Sequence, residues 1–205
     1  MNKRLHIVLI VAGVALGAAI LSADAPKVGQ AAPAFTATDD HGKTHALADH
    51  AGKFVVLEWH NNGCPYVQKY YNSGSMQKLQ RDWAAKGVVW LTIVSSAPGT
   101  QGYVDQAGSQ AFVKQSGAAP TAVLLDPTGQ VGHLYDARNT PQMLVIDPKG
   151  TLIYNGAIDD RPSADASSLV GATNYVTNAL TEAMAGKPVS VPVTVPYGCT
   201  VKYAR

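Results

Sequence analysis

Four short apolar runs limit what this chain can fold into. They are Phe54-Val55-Val56-Leu57, Val88-Val89-Trp90-Leu91-Thr92-Ile93-Val94, Ala122-Val123-Leu124-Leu125 and Met143-Leu144-Val145-Ile146. Runs of this length, without polar alternation, suit strands buried on both faces. Between the first two, residues 65–85 carry Val67, Tyr70, Tyr71, Leu79 and Trp83 at three- and four-residue steps, the spacing of a helix. Asn72-Ser73-Gly74-Ser75 predicts a break in it. A weaker helix is expected over 104–115, and Asp126-Pro127 stops the third run. The fourth run and Thr151-Leu152-Ile153-Tyr154 flank Asp147-Pro148-Lys149-Gly150, a hairpin with a proline-bearing turn. Leu169, Ala172, Val176, Ala179, Leu180 and Ala183 mark a last amphipathic helix, ended by Gly186 and Pro188. Strands alternating with helices predict an α/β fold: a central mixed sheet with helices on both faces. Ala34–Thr38 and Thr44–Ala46, around a turn cluster, predict an N-terminal hairpin extension, and 188–205 an extended C-terminal tail.

The N-terminus has a different character. Met1-Asn2-Lys3-Arg4 is basic, Leu5 to Leu21 is almost wholly apolar, and Ala23-Asp24-Ala25 is a small-x-small pattern. This predicts a signal peptide over 1–25, cut after Ala25, and a periplasmic or secreted protein. A retained anchor is the alternative, since 17 apolar residues are near the lower limit for a span. Once the signal is removed, no stable membrane span is expected. The divisions that follow are 1–25 signal, 26–187 an α/β domain, and 188–205 tail. With 46% hydrophobic and 15% charged residues, general disorder is excluded. A net charge of +2 without a basic cluster beyond the N-terminus leaves no footprint for nucleic acid.

Export bears on the two cysteines, Cys64 and Cys199, because disulfides persist outside the cytoplasm. Cys64 stands before Pro65 in Glu58-Trp59-His60-Asn61-Asn62-Gly63-Cys64-Pro65, at an expected strand-to-helix junction. Proline suits the first helical position, which puts Cys64 at the N-cap. Free N–H groups of the first turn and the helix dipole then favour thiolate, the reactive form. The ordinary alternative is a half-buried cap cysteine. Glu58 closes the apolar strand, where burial is expected to raise its pKa. A solvent-exposed strand-end glutamate is the other reading. His60 is a candidate acid or base, or a support for the loop. Lys69, one turn into the helix, reads as a solvated charge. Cys199 lies in Pro196-Tyr197-Gly198-Cys199 and has three open fates: resolving thiol, permanent bridge to Cys64, or separate thiol.

Val28-Gly29-Gln30-Ala31-Ala32-Pro33-Ala34-Phe35, Asp40-His41-Gly42-Lys43-Thr44, Gly52-Lys53-Phe54-Val55-Val56-Leu57, Gly63-Cys64-Pro65 and Thr140-Pro141-Gln142 occur in an order and spacing that resembles the thioredoxin-like superfamily, in its redoxin and peroxiredoxin branch of alkyl hydroperoxide reductase and thiol-specific antioxidant type. The resemblance covers roughly 28–185. It implies a thioredoxin-like fold with Cys64 as nucleophile and Glu58 as proton relay. It further implies a cis Pro141, with the Thr140 backbone offered to a bound disulfide or peptide. Asn61 would take the substrate-binding place of a family threonine, and Arg138 would polarise a peroxide. No cofactor or metal is implied. Two departures stand out. Val67 occupies the second position of Cys-x-x-Cys, and Leu57 and Asn61 replace the proline and threonine of the peroxiredoxin motif. A single active-site cysteine is therefore expected.

The function implied is an exported thiol-dependent oxidoreductase. Cys64 would attack a small-molecule hydroperoxide, or a protein or low-molecular-weight disulfide, with Cys199 or an external thiol reductant resolving the intermediate. The alternatives are a thioredoxin-like binding module with a structural Cys64–Cys199 disulfide, and metal handling by His41, His45, His50, His60 and Cys64.

Overall fold

The computed structural model describes residues 25–204. Its centre is a seven-stranded mixed sheet. The strands are β1 (Thr36–Asp39), β2 (Thr44–Ala46), β3 (Val55–Trp59), β4 (Val89–Val94), β5 (Ala122–Leu125), β7 (Gln142–Ile146) and β8 (Leu152–Gly156), in the order β2-β1-β5-β4-β3-β7-β8. β3, β4 and β5 run parallel, and β7 pairs antiparallel with β3 along its whole length, Val55 opposite Ile146 and Trp59 opposite Gln142. The apolar runs of the sequence thus form the middle of the sheet, covered on both faces. β6 (Asn139–Thr140) and β9 (Cys199–Thr200) form a separate two-stranded ribbon.

Alternate residues of each strand serve opposite cores. Val56, Trp90, Met143, Val145 and Tyr154 pack beneath α1 (Pro65–Asn72), α2 (Ser75–Ala84) and α5 (Tyr175–Met184). α3 (Gln106–Ser116) adds Phe112 to this side. Leu57, Trp59, Leu91, Ile93, Leu124, Leu144 and Ile146 face the other way, against Phe35 and against Val131 of α4 (Gln130–Leu134). The break between α1 and α2 falls at Gly74, whose φ of +76° only glycine adopts without strain.

Two elements depart from expectation. The last helix begins at Tyr175, because Asn174 takes the N-cap and accepts a hydrogen bond from the Thr177 N–H. Leu169 instead ends a 3-10 turn, and Gly171 follows at φ +70°. α4 was not anticipated: five residues are too few to show a helical period. Among the described residues, no helix is long and apolar enough to cross a membrane. The expected signal peptide lies, but for Ala25, outside the described residues.

Candidate active site

The chain leaves the middle of the sheet at the end of β3, turns through 60–63 and enters α1. Cys64 is the N-cap of α1, with φ −83° and ψ 121°, and Pro65 is the first helical residue. Its carbonyl oxygen already accepts from the Val67 and Gln68 N–H groups. Asn61 builds the turn: its Oδ1 accepts from the Gly63 N–H at 2.9 Å and its Nδ2 donates to the Gln101 carbonyl at 3.2 Å. Asn61 is fully buried, and a Cβ on Gly102 would stand 2.3 Å from its amide. Its side chain is therefore committed to the loop and not turned to a substrate.

On the opposite side of the sulfur is the Thr140–Pro141 peptide, which is cis. The backbone of Thr140, expected to receive an external disulfide or peptide, is occupied by the chain's own tail. β9 pairs antiparallel with β6, Cys199 directly opposite Thr140 and Thr200 opposite Asn139. Gly198 makes this approach possible: a Cβ there would lie 2.1 Å from the Thr140 carbonyl oxygen, and its φ is +130°. The Asn139 amide donates to the Gly198 carbonyl at 3.2 Å.

The pairing brings the two thiols together. Both cysteines are free, and Cys199 lies close enough to Cys64 to influence its ionisation. The reading of Cys199 as a thiol apart from Cys64 is corrected accordingly. Val67 removes the nearby second thiol, and the tail supplies one from 135 residues away. In the thiol form, Cys64 Sγ–H donates to the Thr140 carbonyl at 3.1 Å. Burial works against ionising Cys64, but the Cys199 thiol, the Thr140 side chain and the N–H groups of Cys199 and Val67 outweigh it, and its pKa is lowered. Cys199 moves the other way, pushed up to about 11 by burial and by the neighbouring Cys64 sulfur. Of the pair, Cys64 is the one that ionises first.

Glu58 corrects a second expectation. It is fully buried on the α2 side of the sheet. Burial alone would raise its pKa, yet the pKa is lowered. The causes are His60 beside it and hydrogen bonds from Trp90 Nε1 at 2.7 Å and Tyr71 Oη at 2.8 Å, with Thr92 Oγ1 donating at 3.0 Å. Gln80 completes the shell, and these bonds run to α1, α2 and β4 rather than to Cys64. His60 Nδ1 stands 3.7 Å from Glu58. The ring is wedged between Tyr71 and Phe112, with neither nitrogen hydrogen-bonded, and lines a cavity of about 10 Å³.

Arg138 is not turned to the sulfur. Its guanidinium is 74% exposed and held by the Asp136 carboxylate at 2.7 Å, while its carbonyl accepts from the Val201 N–H of the tail. Lys69 is a third correction. Its side chain is fully buried against Asp159, in a cluster with Tyr70 and Tyr197. The sequence carried no sign of this cluster, because its members are far apart in the chain. Among the described residues, no three His, Cys, Asp or Glu side chains converge as metal ligands. His45 is engaged by Asp39 instead.

Comparison with known proteins agrees with this fold. An uncharacterized conserved protein from Geobacillus kaustophilus superposes with a TM-score of 0.74 at 25% identity, over 87% of this chain and 93% of that one. A hypothetical protein from Sinorhizobium meliloti 1021 gives 0.74 at 23% identity, over 88% and 97%. The thioredoxin domain of a thiol-disulfide oxidoreductase from Bacteroides vulgatus gives 0.50 at 21%, over 63% and 87%. The fold is thus thioredoxin-like. No curated protein matches. The model of the AhpC/TSA family matches residues 28–155, spanning β1 to β8 and including Cys64 and the cis-proline segment, and the chain belongs to that family.

Proposed function

We propose that this protein is an exported thiol oxidoreductase that cycles between a Cys64/Cys199 dithiol and an internal Cys64–Cys199 disulfide. The observation that carries this reading is the β6–β9 ribbon, which sets Cys199 opposite Thr140, the residue whose carbonyl accepts from the Cys64 thiol. A hydroperoxide is the favoured oxidant, because it needs only the Cys64 sulfur uncovered, whereas a polypeptide disulfide needs the whole Thr140 edge, which the tail fills.

The chemistry follows from the asymmetry of the two thiols. The Cys64 thiolate attacks the distal peroxide oxygen: an S–O bond forms, the O–O bond breaks, and the leaving oxygen takes a proton to give an alcohol or water. Cys199 sulfur then attacks the sulfenic sulfur: an S–S bond forms, the S–O bond breaks, and water leaves with the Cys199 proton. An external dithiol reductant restores the pair by exchange. Cys199, only partly buried, is the sulfur it reaches, and Cys64, of lower pKa, is the better leaving group. A permanent structural disulfide is the competing reading, favoured by the burial of Cys64.

One titration separates them. Reduced protein treated with a stoichiometric alkyl hydroperoxide is expected to lose two thiols and two mass units, and to regain both thiols on adding a dithiol under native conditions. A bridge that resists native reduction, or thiols that persist in hydroperoxide, would sink the redox reading.

A further inference from the structure

Cys64 is 0% exposed, so the reduced site is closed to any oxidant. The segment around Cys199 packs against the core cluster that holds Cys64 and pairs with the Thr140 edge beside it. Beyond that cysteine, the tail is held by Tyr203, whose hydroxyl donates to the Ala137 carbonyl at 2.7 Å and whose ring stacks on His133 at 3.9 Å. Before it, the tail is held by Tyr197, two residues from Cys199. The Tyr197 hydroxyl donates to Asp159 Oδ1 and lies 2.8 Å from the Tyr70 hydroxyl, which itself donates to Asp159 Oδ2. Lys69 Nζ donates to the Tyr197 hydroxyl at 3.3 Å and to the Arg161 carbonyl at 3.0 Å, and stands 3.8 Å from Asp159 Oδ2. The Tyr197 ring packs edge-on against Tyr66, ring centres 5.9 Å apart. Tyr66, Lys69 and Tyr70 all belong to α1, the helix that Cys64 caps. The cluster therefore ties the segment bearing one thiol to the element bearing the other.

Resting on the dithiol–disulfide reading above, we propose that Tyr197 is a positioning residue for both halves of the cycle. With its hydroxyl seated among Lys69, Tyr70 and Asp159, Cys199 is presented to Cys64 and Cys64 is covered. With it unseated, the 196–200 segment lifts and Cys64 meets the oxidant. One hydroxyl thus holds back the first step and favours the second, and its removal moves the two in opposite directions.

The test uses the full-length chain with Tyr197→Phe, which keeps the ring on Tyr66 and removes only the hydroxyl. In a Cys199→Ser background, Cys64 alkylation by iodoacetamide is expected to become about tenfold faster, the ratio set by losing one hydrogen bond to a charged group. That rate should not change with urea below the unfolding transition, the mark of a local opening. With both cysteines present, the sulfenic acid formed at Cys64 by one equivalent of alkyl hydroperoxide is expected to close to the disulfide more slowly, because Cys199 is no longer held beside it. Asp159→Asn, which keeps the volume, is expected to move both quantities the same way, and carries the test if the tyrosine variant does not fold. Unchanged alkylation, an unchanged rate of disulfide closure, or an opening that follows urea overturns the latch. A wild-type chain that forms no Cys64–Cys199 disulfide sinks the functional reading instead, while the alkylation measurement still decides the latch.

Discussion

At the scale of single residues, charge is placed by donors rather than by exposure. Cys64 and Glu58 are both completely buried, and both have lowered pKa values. Burial alone predicts the opposite for each, and enough N–H, O–H or S–H groups aimed at one atom reverse the sign. In reduced wild-type protein, the rate of Cys64 alkylation, followed by peptide mass, should rise with pH to a plateau, with its midpoint below the ~8.5 of a free thiol. A midpoint at or above that value would contradict the thiolate assignment. Glu58 titrates in the core. Its folded pKa lies below the unfolded value of ~4.3, so its contribution is complete above that pH and is lost as pH falls through the depressed folded value. Glu58→Gln should therefore flatten the acid limb of a stability-against-pH curve. Glu58→Ala strands the Trp90, Tyr71 and Thr92 donors and should cost at least ~3 kcal/mol, about 10 °C in melting temperature by calorimetry. The donor set was not legible in the sequence, because Trp90 and Thr92 come from β4 and Tyr71 and Gln80 from two helices. The position of Cys64 was legible, because Cys64-Pro65 is a local helix-start signal.

At the scale of elements, the site is a meeting of three pieces: the N-terminus of α1, the cis-proline segment and the β9 strand. The first two are close in every chain that builds this sheet, since β3 and β7 are neighbours. The third is added by the tail, and Gly198 is what admits it. Gly198→Ala should push β9 off β6, since the new carbon would land 2.1 Å from the Thr140 oxygen. Its native circular dichroism is expected to persist, while hydroperoxide should drive little internal disulfide and leave a trappable sulfenic acid at Cys64. Efficient disulfide formation by this variant would show that the ribbon does not position Cys199. Strand β9 is two residues long and carries no period, and alternating proline and valine read only as an extended tail. α4 escaped notice for the same reason of length.

At the scale of the molecule, the Cys64–Cys199 bond would close a loop from the first strand-to-helix junction to the C-terminal end. The chain-entropy treatment assigns such a loop about 5 kcal/mol of stabilisation. Oxidised protein should therefore melt well above reduced protein, and Cys199→Ser should melt with the reduced form in either buffer. Equal melting of oxidised and reduced chains would mean that closure strains the fold by as much as it constrains the unfolded state. The sequence by itself determined the sheet, the helices around it and the cysteine at the N-cap, because apolar runs, helical spacing and turn residues act within about ten positions of one another. Only the tertiary structure decided that Cys199 meets Cys64, that Lys69 is buried with Tyr70, Asp159 and Tyr197, and that Glu58 stays charged. Each of those depends on side chains dozens of residues apart, joined by hydrogen bonds and close approach, and no local pattern records which distant partner will arrive.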